Sequence, residues 1–295
     1  MSSGHDQQLD ALIATVLASP KYRNVSADLV RTIAGQELVK GQSTKETVKA
    51  IKNKLHQVGG AYQSGKEAYA KWLSELNIAL QSGNREALLA TCRHIMSHHA
   101  STRERLPILD QFYSTIFANL PPVSSVIDVA CGFNPLALPC MPLTPGTTYA
   151  AYDIYADMID FLNGFFALLQ KVPAQAPIQA YAQVRDVLTA SPTEQADVAF
   201  VLKTIPCLEQ VDKAAGHYLL RALNARHLVV SFPIHSLGGR HKGMLPNYES
   251  HFGELVASEQ WEIQKIEFPS ELVFLVRKET GFSKIESQES CFYRE

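Results

Sequence analysis

Three aspartates each close a short apolar run: Asp128 in SSVIDVA, Asp153 in TTYAAYDI and Asp186 in IQAYAQVRDV. Carboxylates at the ends of successive strands accept hydrogen bonds from hydroxyl and amino groups, so the chemistry they suggest is the holding of a nucleoside. Asp153 lies 21 residues beyond Gly132, where a carboxylate accepts both ribose hydroxyls, and Asp186 follows at the height of an adenine amino group. Taken singly, an Asp after a strand is as readily a turn or capping residue. Three in register with three successive strands form a coherent set.

The loop after the first run, VIDVACGFNPLALP (126–139), narrows the ligand. A dinucleotide cradle needs GxGxxG so that main chain can approach a pyrophosphate. Here a single glycine, Gly132, precedes Asn134, and Pro135 lacks a donor amide. S-adenosylmethionine carries no phosphate and needs only one close backbone approach, so it fits this loop better. The fourth run ends in Lys203-Thr204-Ile205-Pro206, where methylation of an exocyclic amine would want an acceptor. A lysine accepts nothing, whereas a ring nitrogen with its own lone pair, such as guanine N7, needs alignment and desolvation and no base. Lys203 can also be read as a lysine snorkelling at a strand end.

These residues need a scaffold. From about 123 onward, β-branched runs alternate with helical segments such as 156–171 and 209–223, which implies βαβ units and a mainly parallel sheet. The last two runs, WEIQKIEFP and ELVFLVRK, read as an antiparallel hairpin at the sheet edge. Residues from about 8 to 118 read as consecutive helices broken at Pro20, Gly41, Gly59-Gly60 and Gly83. Ser43 and Glu46 have capping-box spacing and mark a helix start. On that helix Lys45, Lys49 and Lys52 share an outward face, beside a packing stripe of Val48, Ile51 and Leu55.

Residues 1–100 hold 12 Lys and Arg against 8 Asp and Glu, and the remainder 15 against 21. A basic part joined to an acidic one points to a polyanionic partner for the first. With 46% hydrophobic and 19% charged residues the chain is expected to be globular. It shows no run of membrane-spanning length and no signal-peptide order, so a cytoplasmic location is expected. The five cysteines show no CxxC spacing and are expected to be reduced structural thiols. His94, His98 and His99 lack an HExxH pattern and a third ligand, so no metal is expected.

Four stretches together resemble the 16S ribosomal RNA guanine-N7 methyltransferases that confer aminoglycoside resistance: HHASTRERLPILDQFY (98–113), VIDVACGFNPLALP (126–139), ADVAFVLKTIPCLEQ (196–210) and SFPIHSLGGRHKGMLPNY (231–248). The resemblance runs from about Leu12 to Lys278. It implies an α/β class I S-adenosylmethionine-dependent methyltransferase: a Rossmann-like, mainly parallel sheet with an antiparallel C-terminal edge hairpin, preceded by an all-helical N-terminal domain. The division implied is residues 1–118 for docking on ribosomal RNA and 119–279 for the methyltransferase; residues 280–295, a longer end than the family has, read from the sequence as a flexible tail to which nothing of the family is carried over. The partner implied is the 30S subunit, met by a monomer.

For the cofactor S-adenosylmethionine the resemblance assigns Arg105 to the methionyl carboxylate with Thr102 and His99 assisting. It assigns Ala130 and Gly132 to the loop, Asp153 and Ile154 to the ribose, and Asp186 and Val187 to the adenine. It places Lys203 near the reacting base, with Arg240 and Met244 securing the flipped nucleotide. His235 and Lys242 beside them are expected to grip phosphate, although this segment also reads as a flexible basic loop and Met244 as a core filler. Lys21, Arg23, Lys45, Lys49, Lys52 and Lys54 are expected to make salt-sensitive contacts with RNA phosphates, or simply to form a solvated face. Rival expectations are methylation of another RNA base, a non-catalytic ribosome-binding factor, and a nicotinamide dehydrogenase.

Overall fold

The computed structural model describes residues 2–60, 68–171, 178–234 and 244–278. Seven strands form one sheet in the order β3-β2-β1-β4-β5-β7-β6. They are β1 (Ser125–Val129), β2 (Thr148–Asp153), β3 (Gln179–Val184), β4 (Ala196–Leu202), β5 (Ala225–Pro233), β6 (Glu262–Glu267) and β7 (Glu271–Arg277). The first five are parallel, and β7 enters antiparallel between β5 and the edge strand β6. Strand order reverses at β1, which pairs with β2 on one side and β4 on the other. This is the switch point at which open α/β sheets bind ligands.

Among the described residues seven α-helices precede the sheet: α1 (Ser2–Leu17), α2 (Ala27–Leu38), α3 (Thr44–Leu55), α4 (Tyr69–Gln81), α5 (Arg85–Met96), α6 (Ala100–Arg105) and α7 (Leu109–Ala118). Ser43 and Glu46 form the capping box that starts α3, with Oγ accepting from the Glu46 amide and the Glu46 carboxylate accepting from the Ser43 amide. A single π-helical turn, His56–Gly60, follows α3. Later helices are α8 (Ala156–Leu169), α9 (Ile205–Leu208), α10 (Ala215–Ala222) and α11 (Met244–Val256).

The period-two alternation of the strands sorts their side chains into two cores. Val126, Val198, Phe200, Val229 and Val273 face the early helices and join Leu12, Val30, Ile51, Trp72 and Phe112 in one apolar cluster. Ile127, Val129, Ala199, Val201 and Val230 face the other way and pack with Leu219 and Phe252. The helices before the sheet thus share their core with it. They are also stitched to the end of β2: the Ser26 amide donates to the Ile154 carbonyl (2.7 Å), the Ala156 amide to the Asn24 carbonyl (2.8 Å), and Asn24 Nδ2 to Asp157 (2.6 Å).

Candidate functional site

An open cavity lies beyond the carboxyl ends of β1, β2 and β4, the usual place for a ligand in an open α/β sheet. Of the sequence-predicted residues, His99, Ala130, Asp153, Ile154, Asp186, Val187 and Lys203 line it. Their backbone is bent to do so. Ala130 has φ of 50° and Lys203 of 58°, a left-handed conformation that side-chain-bearing residues seldom adopt and that gathers at functional sites. The bend at Lys203 is held by its amide, which donates to the carbonyl and hydroxyl of Ser231 (3.0 and 3.1 Å).

Asp153 accepts from the Gly132 amide at 2.9 Å and the Ile154 amide at 2.7 Å. Burial raises its pKa and these amide bonds oppose the rise. Asp186 accepts from the Leu188 amide (3.1 Å) and the Thr189 hydroxyl (3.3 Å), and burial raises its pKa too. Each is therefore both a turn residue and a wall of the cavity. The His99 ring is neutral, its pKa depressed to about 4 by burial and by the charges of Lys203, Arg103 and Arg105.

The Gly132 amide, spent on Asp153, is not offered to a phosphate. Carboxylates at two strand ends beside apolar surfaces from Ile154, Val187, Leu202 and Leu208 suit a phosphate-free nucleoside. The residues present therefore fit the cofactor class expected from the sequence.

Three expected contacts are not on the cavity wall. Gly132 has φ of 51° and serves a different close approach: a Cβ there would stand 2.8 Å from Cε1 of the His99 ring. Thr102 is buried and donates to the carbonyls of Met96 (2.6 Å) and His99 (3.1 Å), which fixes the start of α6. Arg105, 1% exposed, makes a paired contact with Glu271 (Nε 3.0 Å, Nη2 2.6 Å) and donates from Nη1 to Asn134 Oδ1 (2.8 Å). A buried guanidinium requires such compensation. Asn134 is oriented in turn by donating to Asp128 (2.9 Å), which also accepts from Tyr149 (2.6 Å).

Sequence reasoning did not identify Glu271, which is fully buried and joins this network to Lys203 at the end of β4. It accepts from Ser231 Oγ at 2.5 Å and lies 3.4 Å from Lys203 Nζ. Burial pushes its pKa up, but the charges of Arg105 and Lys203 outweigh it and hold the carboxyl below its ordinary range. The one signal in the sequence was a lone acid opening an otherwise apolar strand. Glu104 was also missed; it accepts from Lys203 Nζ at 2.8 Å. Leu29, Val58 and Gly59 bring α2 and the turn after α3 to the cavity wall.

Among the basic residues, Lys21, Arg23, Lys45 and Lys49 are exposed. Lys52 does not point outward as expected: it is half-buried and donates to Ser19 Oγ (2.5 Å), because Ser19 in the turn after α1 faces that side of α3. Lys54 is half-buried beside Gln36 (3.5 Å). His235, Arg240 and Lys242 lie outside the described residues, as does the Met244 side chain, whose backbone begins α11. Tail residues 280–295 also lie outside them. The His98 ring packs on Trp72 with centroids 4.9 Å apart, and no group of three or more metal-binding side chains occurs among the described residues. No described helix is long and apolar enough to cross a membrane.

The profile of one family, "Ribosomal RNA methyltransferase (FmrO)", matches residues 18–275. The chain is 36% identical over 279 residues to a 16S rRNA (guanine(1405)-N(7))-methyltransferase of Micromonospora rosea, covering 94% of this chain and 99% of that protein. It is 36% identical over 270 residues to a protein of the same description from Serratia marcescens, covering 91% and 98%. Among solved structures it is similar to the 16S rRNA methyltransferase RmtF in complex with S-adenosyl-L-homocysteine (TM-score 0.75, 29% identity, 92% of this chain and 98% of that one). It is also similar to the 16S rRNA methylase RmtB (TM-score 0.71, 31% identity, 92% and 98%).

Proposed function

This chain belongs to the ribosomal RNA methyltransferase (FmrO) family, and we propose that it uses S-adenosylmethionine to methylate N7 of guanine 1405 of 16S ribosomal RNA, the position named for its relatives. The observation that carries this reading is one cavity joining the carboxylates at the ends of β2 and β3 to the ammonium at the end of β4. The first two would hold a nucleoside, and the third stands where a base would present its edge.

Asp153 takes the ribose hydroxyls and Asp186 the adenine amino group. Ile154, Val187, Leu202 and Leu208 exclude water from the slot between them. Arg105 orients the methionyl end from its place on Glu271, with Thr102 and Gly132 shaping the wall behind His99. When bound, the cofactor supplies an electrophilic methyl group on a sulfonium. Guanine N7 offers a lone pair and no proton, so the protein's task is alignment and desolvation. Lys203 steadies the acceptor edge of the base, and Arg240 and Met244 secure the extruded nucleotide.

Residues 1–118 act as the docking domain for the 30S subunit, with Lys21, Arg23, Lys45 and Lys49 on phosphates, assisted by His235 and Lys242. The enzyme works in the cytoplasm as a monomer, and its product confers resistance to aminoglycosides. The test is transfer of labelled methyl from S-adenosylmethionine to 30S subunits, naked 16S rRNA and 50S subunits, with mapping of the modified base. Label on one guanine in 30S alone is expected; no label on any of the three would refute the catalytic reading.

A further inference from the structure

Lys203 has three ammonium protons and three acceptors. Its Nζ lies 3.2 Å from the Ser101 carbonyl, 2.8 Å from Glu104 Oε2 and 3.4 Å from Glu271 Oε2. The first two are hydrogen bonds and the third is an ion-pair contact, so acceptors enclose the ammonium and a base that takes the best-placed position on it does so in place of one of them. The three are not equally free to give way. The Ser101 carbonyl is main chain within α6. Glu271 is fully buried and clamped by Arg105 and Ser231. Glu104 makes its contact from a side chain 27% exposed, against 3% for the Lys203 side chain it covers. It lies one helical turn after Ser101, so both project from the same face of α6, and Ser101 lines the cavity.

We propose that Glu104 is the substrate-exchangeable partner of Lys203 and reads the donor edge of the target guanine: O6 of the base replaces the carboxylate on Lys203 Nζ, and the released carboxylate accepts from N1–H and the 2-amino group. This deepens the function proposed above and rests on it. Ammonium and carboxylate side by side match the order of groups along guanine, one acceptor followed by two donors. Adenine presents an amino group where O6 would be and an unprotonated N1, so it would set donor against donor and acceptor against acceptor.

The exchange also helps the reaction itself. The N7 lone pair forms the new N–C bond while the sulfonium–carbon bond breaks, its electron pair remaining on sulfur. No proton moves, and the positive charge passes to the guanine ring. As that charge develops, N1–H and the 2-amino group become stronger donors, so a carboxylate on them binds the transition state better than the ground state. Such an interaction raises kcat more than it lowers KM. It also offsets the repulsion between Lys203 and a ring that is turning cationic.

The experiment compares the wild type, Glu104→Gln and Glu104→Ala in single-turnover methylation. The substrates are 30S subunits reconstituted with either guanine or inosine at the target; inosine lacks the 2-amino group. Melting curves and equilibrium dialysis of S-adenosylmethionine confirm that each variant is folded and loaded. The wild type is expected to react about tenfold or more faster with guanine than with inosine. Both variants should lose about ten- to a hundredfold in rate on guanine with little change in 30S affinity, and the guanine-to-inosine rate ratio of Glu104→Ala should be about tenfold smaller than that of the wild type. The intrinsic effect of the amino group on N7 cancels in that comparison of ratios. A folded, cofactor-loaded Glu104→Gln or Glu104→Ala that keeps the wild-type rate and preference overturns the proposal while leaving the enzyme's function intact. A wild type that labels no guanine at all refutes both, and is told apart by that reading alone.

Discussion

The main-chain amide of Gly132 donates to Asp153 across 2.9 Å and 21 residues of sequence. This bond ties the loop after β1 to the end of β2, and it sets the character of the cavity. An amide that elsewhere cradles phosphate is here committed to a carboxylate, while the remaining carboxylate surface faces the cavity.

Asp153→Asn keeps the size of the side chain and removes its charge. Charge-assisted hydrogen bonds contribute about 1.5–3 kcal/mol each, so S-adenosylmethionine affinity should fall about ten- to a hundredfold by calorimetry. Asn has one acceptor oxygen for the amides of Gly132 and Ile154, so the melting temperature should fall as well, and the affinity is read on protein shown to be folded at the temperature of the measurement. Unchanged affinity would remove Asp153 from the cofactor site.

Gly132→Ala combines a strained φ of 51° with a Cβ 2.8 Å from the His99 ring. Left-handed strain costs on the order of 1–3 kcal/mol, and the melting temperature should drop by several degrees. Adding His99→Ala should restore only the steric share of that loss.

Glu271→Ala leaves Arg105 buried without its partner and Lys203 with one acceptor fewer. Breaking a buried pair in this way costs about 3–5 kcal/mol, measurable by urea unfolding. Because the folded carboxyl titrates below its ordinary 4.5, its contribution is complete above that pH and is lost as acid protonates it. Glu271→Gln should therefore flatten the loss of stability below pH 4.5.

Between pH 6.5 and about 4 two groups pull in opposite directions. His99 stays neutral when folded but binds a proton when unfolded, so its share of stability falls as pH drops through this window. Burial raises Asp128 to about 6, so the folded state takes up its proton first and gains stability as pH drops from 6 toward 3.8. Unfolding curves across this range should show Asp128→Asn more acid-sensitive than wild type and His99→Gln less so.

Lys45 and Lys49 are exposed on α3, and removing one phosphate-binding lysine makes the salt slope of binding shallower by about 1. Lys45→Ala/Lys49→Ala should bind 30S subunits more weakly at every salt concentration, with a slope shallower by about 2, and should hold S-adenosylmethionine as before.

The central strands β1, β4, β5 and β7 were readable because each is a compact apolar, β-branched run, and Asp153 and Asp186 because each closes a run beside the cavity; Asp128, expected to join them, lies within β1 and is spent on Asn134 and Tyr149. Ser43 and Glu46 were readable because a capping box is local. What could not be read is pairing between distant residues. Arg105 and Glu271 are 166 residues apart, and nothing near Arg105 says that a carboxylate on the seventh strand awaits it. Lys52 looked like its exposed neighbours because the partner that turns it inward, Ser19, lies 33 residues earlier, in the turn after α1. Gly132 was recognised as a close-approach position, but the approaching group is the ring of His99.

The wall that Leu29, Val58 and Gly59 contribute to the cavity bears on how such enzymes diversify. A Cβ at Gly59 would meet the Tyr155 hydroxyl at 2.6 Å, and Val25 forms an isolated bridge with Tyr155. The leading helices are consequently not an interchangeable adaptor. A chimaera joined near residue 118 with helices from a distant relative would inherit a foreign enclosure for its own cofactor. New docking specificity is more accessible by altering exposed lysines on α3 than by exchanging the helical part whole.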